Sequence, residues 1–224
     1  MANFKFKQDE IERINKAAAH VESVSSGEVL TAVIKESSDY AFFELLLSLF
    51  GGFLYYAVAM IFHSGISRWI EGMFWNPQPW YVTAFYGVST LVVIGILYIL
   101  SNFPGVDRRF VPRAVIDQRV HRRAMVHFAE SGAVNTRDRT GILFFISLRE
   151  RRVEIIADEG INSKVEQSVW DGILNTLLDE IRMGQTAAGL ERAILDCAEI
   201  LAENFPVKGD DTNELSDGIV FLED

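Results

Sequence analysis

Two long, nearly uncharged runs interrupt this chain and constrain its fold more than any other feature. Residues 42–62 carry one charge, Glu44 near the start of the run, and residues 81–100 carry none. A bilayer core about 30 Å thick is crossed by about 20 helical residues, so each run is long enough to span it. A pair of buried helices in a soluble core is the alternative, but such helices usually keep a polar stripe that both runs lack. The sequence therefore predicts a transmembrane hairpin over residues 40–100.

Small and aromatic residues add detail to this hairpin. Three tryptophans and two prolines lie between positions 69 and 80, and tryptophan is typical of the headgroup boundary. Glycines at Gly51 and Gly52 in the first run, and at Gly87 and Gly95 in the second, could allow the two helices to approach closely.

Basic residues predict the orientation of the hairpin. Six arginines lie between positions 108 and 123, whereas the segment between the runs holds only Arg68 and the approach to the first run only Lys35. The positive-inside rule therefore places both termini and the soluble domain in the cytoplasm, with two spans in the inner or plasma membrane. Arg108, Arg109 and Arg113 are also candidates for contact with anionic lipid headgroups, since they follow the second span directly.

The flanking segments, residues 1–39 and 101–224, are interpreted as one split α/β domain. A helix over 8–24 and a strand over 28–35 cannot bury themselves without the segments that follow the hairpin. Those segments contain a helix over 115–130, apolar strands over 141–148 and 153–157, a helix from a capping box at 163–166 to Gly184, and a helix over 187–204. The short connection between the two apolar strands requires an antiparallel pair, and residues 218–222 are a candidate edge strand. The expected fold is a small mixed sheet of three or four strands sandwiched by helices.

Composition excludes several classes of function. A net charge of −10 argues against nucleic-acid binding as the main task. The single cysteine, Cys197, cannot form an internal disulfide and is interpreted as a small core residue. The acidic segment 210–215 resembles a calcium loop only in composition, because it lacks the alternating ligands of an EF-hand. The sequence also lacks the common nucleophile and phosphate-binding motifs.

Polar side chains at strand ends are the remaining candidates for chemistry. Asp158 follows the strand over 153–157, and open α/β sheets bind ligands beyond the carboxyl ends of strands. Asp158 is therefore the first candidate for a metal ligand or an acid–base group, and Asp39 could add an oxygen ligand. Helix capping is the alternative interpretation of both residues. Asp138 and Thr140 either join such a site or form a surface turn.

The order of several short motifs resembles the TPM domain family. The motifs are Ser26-Gly27-Glu28, Thr140-Gly141-Ile142-Leu143, Glu150-Arg151, Val153-Glu154-Ile155-Ile156-Ala157-Asp158-Glu159-Gly160-Ile161, Trp170, Gly184-Gln185 and Asn213-Glu214-Leu215. The resemblance implies an α/β sandwich, a calcium site in some members and weak phosphatase activity in a plant member. The family pattern is matched most cleanly at Glu28, Asp158 and Gly160. The internal hairpin is similar to that of a bacterial subgroup often encoded near LemA-type membrane proteins.

Functions of different classes are open at this point. The first is a non-enzymatic, membrane-anchored module for interaction with, or assembly and maintenance of, a membrane partner, such as a LemA-type protein. The second is a metal-dependent phosphatase, in which Asp158 with Glu28 or Asp39 binds a divalent cation, calcium or magnesium. A third, a small channel or lipid-perturbing protein, is weaker because the two spans contain no charged lining.

Overall fold

The structure is a computed structural model that describes residues 6–101, 111–207 and 218–222. The chain divides into two compact units. One comprises Met1–Ser38 and Ala114–Asp224, and the other comprises Asp39–Arg113. The first unit contains a four-stranded sheet with its helices, and the second contains the two apolar runs.

The sheet combines one strand that precedes the second unit in the sequence with three strands that follow it. Its strands are β1 (Glu28–Ile34), β2 (Gly141–Ser147), β3 (Arg152–Ala157) and β4 (Ile219–Leu222), in the order β3-β2-β1-β4. β1 runs parallel to β2 and to β4, whereas β2 and β3 form the antiparallel pair. The mixed sheet, its antiparallel pair and the short edge strand near the end of the chain are therefore confirmed.

The helices follow the periodicity of the sequence closely. They are α1 (Gln8–Val24), α2 (Ala41–Ile61), α3 (His63–Met73), α4 (Trp80–Ser101), α5 (Arg113–Glu130), α6 (Glu159–Asn162), α7 (Gln167–Arg182) and α8 (Thr186–Asn204), with a short 3₁₀ turn at Ala133–Asn135. α7 ends where Gly184 takes a φ of +78°, a left-handed conformation that suits glycine.

Successive side chains of a strand point to opposite faces of the sheet, and helices cover both of these faces. On one face, α1, α7 and α8 enclose a single apolar core with alternate strand residues such as Ile142 and Phe144. Cys197 lies within this core, as predicted, and burial raises the pKa of its thiol. On the other face, α5 buries the stripe Ile116, Val120, Ala124 and Phe128.

Two local features differ from the sequence prediction. The capping box at 163–166 does not form: α7 begins at Gln167, and its N-cap residue Glu166 makes no side-chain capping bond. The hydroxyl of Ser163 instead donates to the carbonyl oxygen of Gly160 at 2.7 Å, because residues 159–162 form the short helix α6. The tryptophan-rich segment between the two runs also contains a helix, α3, that was not predicted.

In the second unit, α2 and α4 are long and apolar enough to cross a membrane. Their mean hydropathies are 1.7 and 2.0, and only 22% and 6% of the two stretches is buried. Large apolar side chains are exposed along both helices, for example Phe50, Phe53 and Leu91. The core-helix alternative does not fit such exposure, since helices in the core of a soluble protein bury these residues.

Two glycines of α2 allow close packing against α4. A Cβ atom placed at Gly51 would lie 2.4 Å from Cδ1 of Leu97, and one at Gly52 would lie 2.3 Å from Cγ1 of Ile94. Positions Gly87 and Gly95 on α4 have no atom this close, since a Cβ there would meet nothing within 4 Å. The glycines of the first run, rather than those of the second, therefore let the two helices approach.

We expect Gly52→Leu to weaken the packing of α2 against α4 by about 1–3 kcal/mol, because an added side chain overpacks the contact with Ile94. Thermal unfolding of the full chain in detergent micelles, followed by circular dichroism, measures this loss. Gly95→Leu is the matched control, since it adds the same side chain where nothing lies within 4 Å. Equal effects of the two substitutions would contradict the role of Gly52.

Candidate functional site

The first candidate site lies where β1 and β2 begin and β3 ends. The backbone N–H of Glu28 donates to the carbonyl oxygen of Thr140 at 3.1 Å, and that of Asp158 donates to the carbonyl oxygen of Gly141 at 2.9 Å. Three strand ends therefore meet here. We call the group formed by Asp138, Arg139, Asp158 and Gly160 the Asp158 corner.

The carboxylate of Asp158 is buried and accepts three hydrogen bonds. Arg139 donates from Nε to Oδ2 at 2.7 Å and from Nη2 to Oδ1 at 2.8 Å. The N–H of Glu159 donates to Oδ1 at 2.7 Å, so Asp158 is the N-cap residue of α6. The bond to Asp158 raises the pKa of the Arg139 guanidinium. The capping interpretation of Asp158 is thus what the structure shows, with an added bidentate ion pair.

Backbone geometry brings Arg139 to Asp158. Arg139 has a φ of +58°, an uncommon left-handed conformation for a residue with a side chain. Gly160 lies directly against the same loop: a Cβ atom there would be 2.4 Å from the carbonyl oxygen of Asp138 and 2.6 Å from that of Arg139. The Asp158-Glu159-Gly160 motif therefore combines a helix cap, a bound arginine and a close backbone contact.

Glu28 lies at the same end of the sheet as Asp158. It is buried and separated from Asp158 by the first residue of β2, Gly141. Two strand spacings correspond to about 10 Å between the Cα atoms. The backbone of the 3₁₀ turn occupies the space above Gly141, since a Cβ atom there would lie 2.5 Å from the carbonyl oxygen of Ala133.

Asp39 is not brought near Glu28 by β1. Glu28 is the first residue of β1 and Asp39 follows its other end, and a seven-residue strand is about 20 Å long. One carboxylate oxygen of Asp39 accepts the backbone N–H of Ala41 at 2.8 Å, at the start of α2. Asp39 therefore accepts a hydrogen bond from the first residue of α2.

The loop residues and arginines named from the sequence have separate positions. The hydroxyl of Thr140 donates to the carbonyl oxygen of Ser26 at 2.7 Å, which orders the loop before β2. Arg113 is exposed and begins α5. Arg108 and Arg109 lie outside the described residues, as does the acidic segment 210–215.

The metal site stays a prediction. Among the described residues, no group of three or more histidine, cysteine, aspartate and glutamate side chains is placed to hold a metal ion. A cation at Asp158 would also have to displace Arg139, which already neutralises that carboxylate. The phosphatase alternative, which depends on such a cation, stays a prediction for the same reason.

A second polar cluster, which was not predicted from the sequence, lies at the opposite end of β1 and β2. We call Ser37, Ser147 and Glu150 the junction cluster. The hydroxyl of Ser37 donates to that of Ser147 at 2.8 Å, and the backbone N–H of Ser37 donates to Oε1 of Glu150 at 3.1 Å. The hydroxyl of Ser147 in turn donates to Oε2 of Glu150. This network fastens the chain between β1 and α2 to the turn between β2 and β3.

We expect Gly160→Ala to destabilise the domain by about 2–3 kcal/mol, because the new methyl group would meet backbone atoms that cannot move aside singly. Chemical denaturation of the full chain in micelles measures the change. The matched control is Gly172→Ala in α7, where nothing lies within 4 Å and alanine should stabilise the helix slightly. A Gly160→Ala variant as stable as the control would contradict the close contact.

Comparison with known proteins agrees with this architecture. The family model of the TPM domain matches residues 110–200. The chain is similar in structure to the BA42 protein of the psychrophilic bacterium Bizionia argentinensis, solved by NMR, with a TM-score of 0.58. The two are 18% identical, and the match covers 99% of this chain and 98% of that chain. A comparison with curated proteins gives no significant match. The family resemblance is therefore confirmed over residues 110–200, which match the TPM domain model.

Proposed function

We propose that this chain is a membrane-anchored TPM domain that acts as an interaction module for a membrane partner. The observation that carries the proposal is the exposed apolar surface of α2 and α4, which is too large to leave in water. A bilayer covers such a surface along the full length of each helix. The domain would then be tethered to the membrane through both Ser38 and Ala114.

The properties of the Asp158 corner favour binding over catalysis. A catalytic carboxylate needs to reach a substrate, a proton or a metal ion. The Asp158 carboxylate is buried, bonded to Arg139 through both oxygens and bonded to the start of α6. These contacts support a structural role for the family motif. The partner, whether a LemA-type protein or another membrane protein, would then bind to the surface of the domain.

The proposal includes an orientation, with the domain and both termini in the cytoplasm. We expect Ser64→Cys, in the exposed segment between the two helices, to react with a membrane-impermeant maleimide in intact spheroplasts. Glu199→Cys, exposed on α8, should react only after permeabilisation. The native Cys197 does not interfere, because it is buried and its raised thiol pKa leaves little thiolate. The reverse labelling pattern would contradict the orientation.

Capture of a partner tests the interaction itself. We expect the tagged full chain, extracted in mild detergent, to enrich a specific integral membrane protein in a way that depends on a folded domain. Ala32→Asp is the matched control, because it places a charge at a fully buried position of β1 while leaving both apolar helices unchanged. Enrichment of no membrane protein, or equal enrichment by the Ala32→Asp variant, would contradict the proposal.

A further inference from the structure

A groove runs along the outer edge of the sheet, beside β3. It has a volume of about 390 Å³ and is lined by α5, by the end of β3 and by the start of α7. Its apolar lining includes Met125, Phe128 and Ile155. Because α5 and α7 cover opposite faces of the sheet, a groove lined by both lies at the edge where the two faces meet. β3 is the strand at that edge.

The hydrogen-bond pattern of the antiparallel pair shows which β3 groups point outward. Asp158 donates its N–H to Gly141, and the register pairs Ala157 with Ile142. Residues that bond to the neighbouring strand alternate along an antiparallel ladder, so Val153, Ile155 and Ala157 direct their backbone groups away from β2. The carbonyl oxygen of Ala157 does so, since it accepts a bond from Nδ2 of Asn162 at 2.6 Å.

An open edge of this kind offers donors and acceptors to another strand. In the part of the chain that the structure describes, no residue bonds to the backbone N–H of Val153 or Ile155. Unpaired groups on an edge strand are a template for pairing with a further extended segment.

Trp170 provides an independent sign of a ligand. Trp170 is buried, with 3% of its surface exposed, and it lines the groove from α7. Its indole Nε1–H finds no acceptor among the described residues. A buried donor without an acceptor costs free energy, so such groups are rare unless a ligand or a water satisfies them. A carbonyl oxygen of a bound segment would satisfy this donor.

The charges at the groove indicate what kind of segment fits. Nδ1 of His121 lies 3.2 Å from Oε2 of Glu154, and Arg139 forms its ion pair with Asp158, so both carboxylates at the groove already have a partner. Arg152, at the start of β3, is likewise paired with Asp117. A charged segment would gain no opposite charge here and would lose hydration, whereas an uncharged one matches the apolar lining.

We propose that the β3 edge binds an extended, uncharged peptide segment of the partner, which adds to the sheet as a further strand. The backbone groups of Val153 and Ile155 pair with the peptide, and Trp170 donates to one of its carbonyl oxygens. An apolar side chain of the peptide packs between Met125 and Ile155. The partner identity rests on the proposed interaction function, whereas the peptide site itself does not.

Photo-crosslinking on the full chain in nanodiscs tests this site. The probe is a pooled library of capped, uncharged octapeptides, and p-benzoylphenylalanine replaces Met125 at the groove or Phe221 on the opposite edge strand β4. We expect peptide adducts from the groove position and few from the β4 position. Equal yields from both edges, no adducts at the groove, or a crosslink between two copies of the chain would overturn the proposal.

Two substitutions distinguish specific strand pairing from nonspecific hydrophobic binding. Ile155→Pro removes an outward N–H without breaking the ladder to β2, and Trp170→Phe removes the indole donor while keeping an aromatic ring. We expect each to reduce the adduct yield by about tenfold, since a lost hydrogen bond of this kind costs about 1.4 kcal/mol. Ile155→Val is the matched control and should bind normally. Unchanged yields in both variants would contradict the edge pairing.

The same variants distinguish this proposal from the broader one. If the full chain captures a membrane protein and Ile155→Pro captures it equally well, the partner binds elsewhere and only the edge site is wrong. If octapeptides bind at the edge but no membrane protein is captured, the edge site stands and the membrane-partner function is wrong.

Discussion

The pairing of β1 with β2 is the interaction on which the rest of the structure depends. β1 lies in the middle of the sheet and bonds to β2 on one side and β4 on the other, yet the whole apolar hairpin separates it from both in the sequence. Loop-closure entropy grows only logarithmically with loop length, so an insertion of this size adds little to the cost of pairing. The domain can therefore hold its central strand before the hairpin and its remaining strands after it.

The two ends of this strand pair are stabilised by different polar contacts. At the amino end, Glu28 and Gly141 lie beside the Asp158 corner, where Arg139 and the start of α6 fix the Asp158 carboxylate. At the carboxyl end, the junction cluster bonds Ser37 to Ser147 and to the turn after β2. Buried polar groups need such partners, because an unpaired one costs about 1–3 kcal/mol. The Asp158 corner and the junction cluster thus stabilise the fold at opposite ends of the strand pair.

Periodicity predicted the regular elements well, because alternating and helical burial patterns follow directly from the geometry of strands and helices. Contacts between residues far apart in the sequence could not be predicted in this way. Arg139 and Asp158 are 19 residues apart, and they meet through a left-handed residue that is not glycine, which no propensity indicates. The groove depends on two helices on opposite faces of the sheet. The capping box failed because a four-residue helix intervened. The helix α3 was missed because the tryptophans and prolines between positions 69 and 80 were interpreted as a boundary segment between the two runs.

Native-state hydrogen exchange of the full chain in nanodiscs tests the split domain most directly. If β1 is the central strand of a single cooperative unit, the amides of Val29 to Ile34 should open with the same free energy as those of Ile142 to Ile146. Exchange of β1 at a much lower free energy, with β2 still protected, would contradict the account. It would mean that the segment after the hairpin folds without the strand that precedes it.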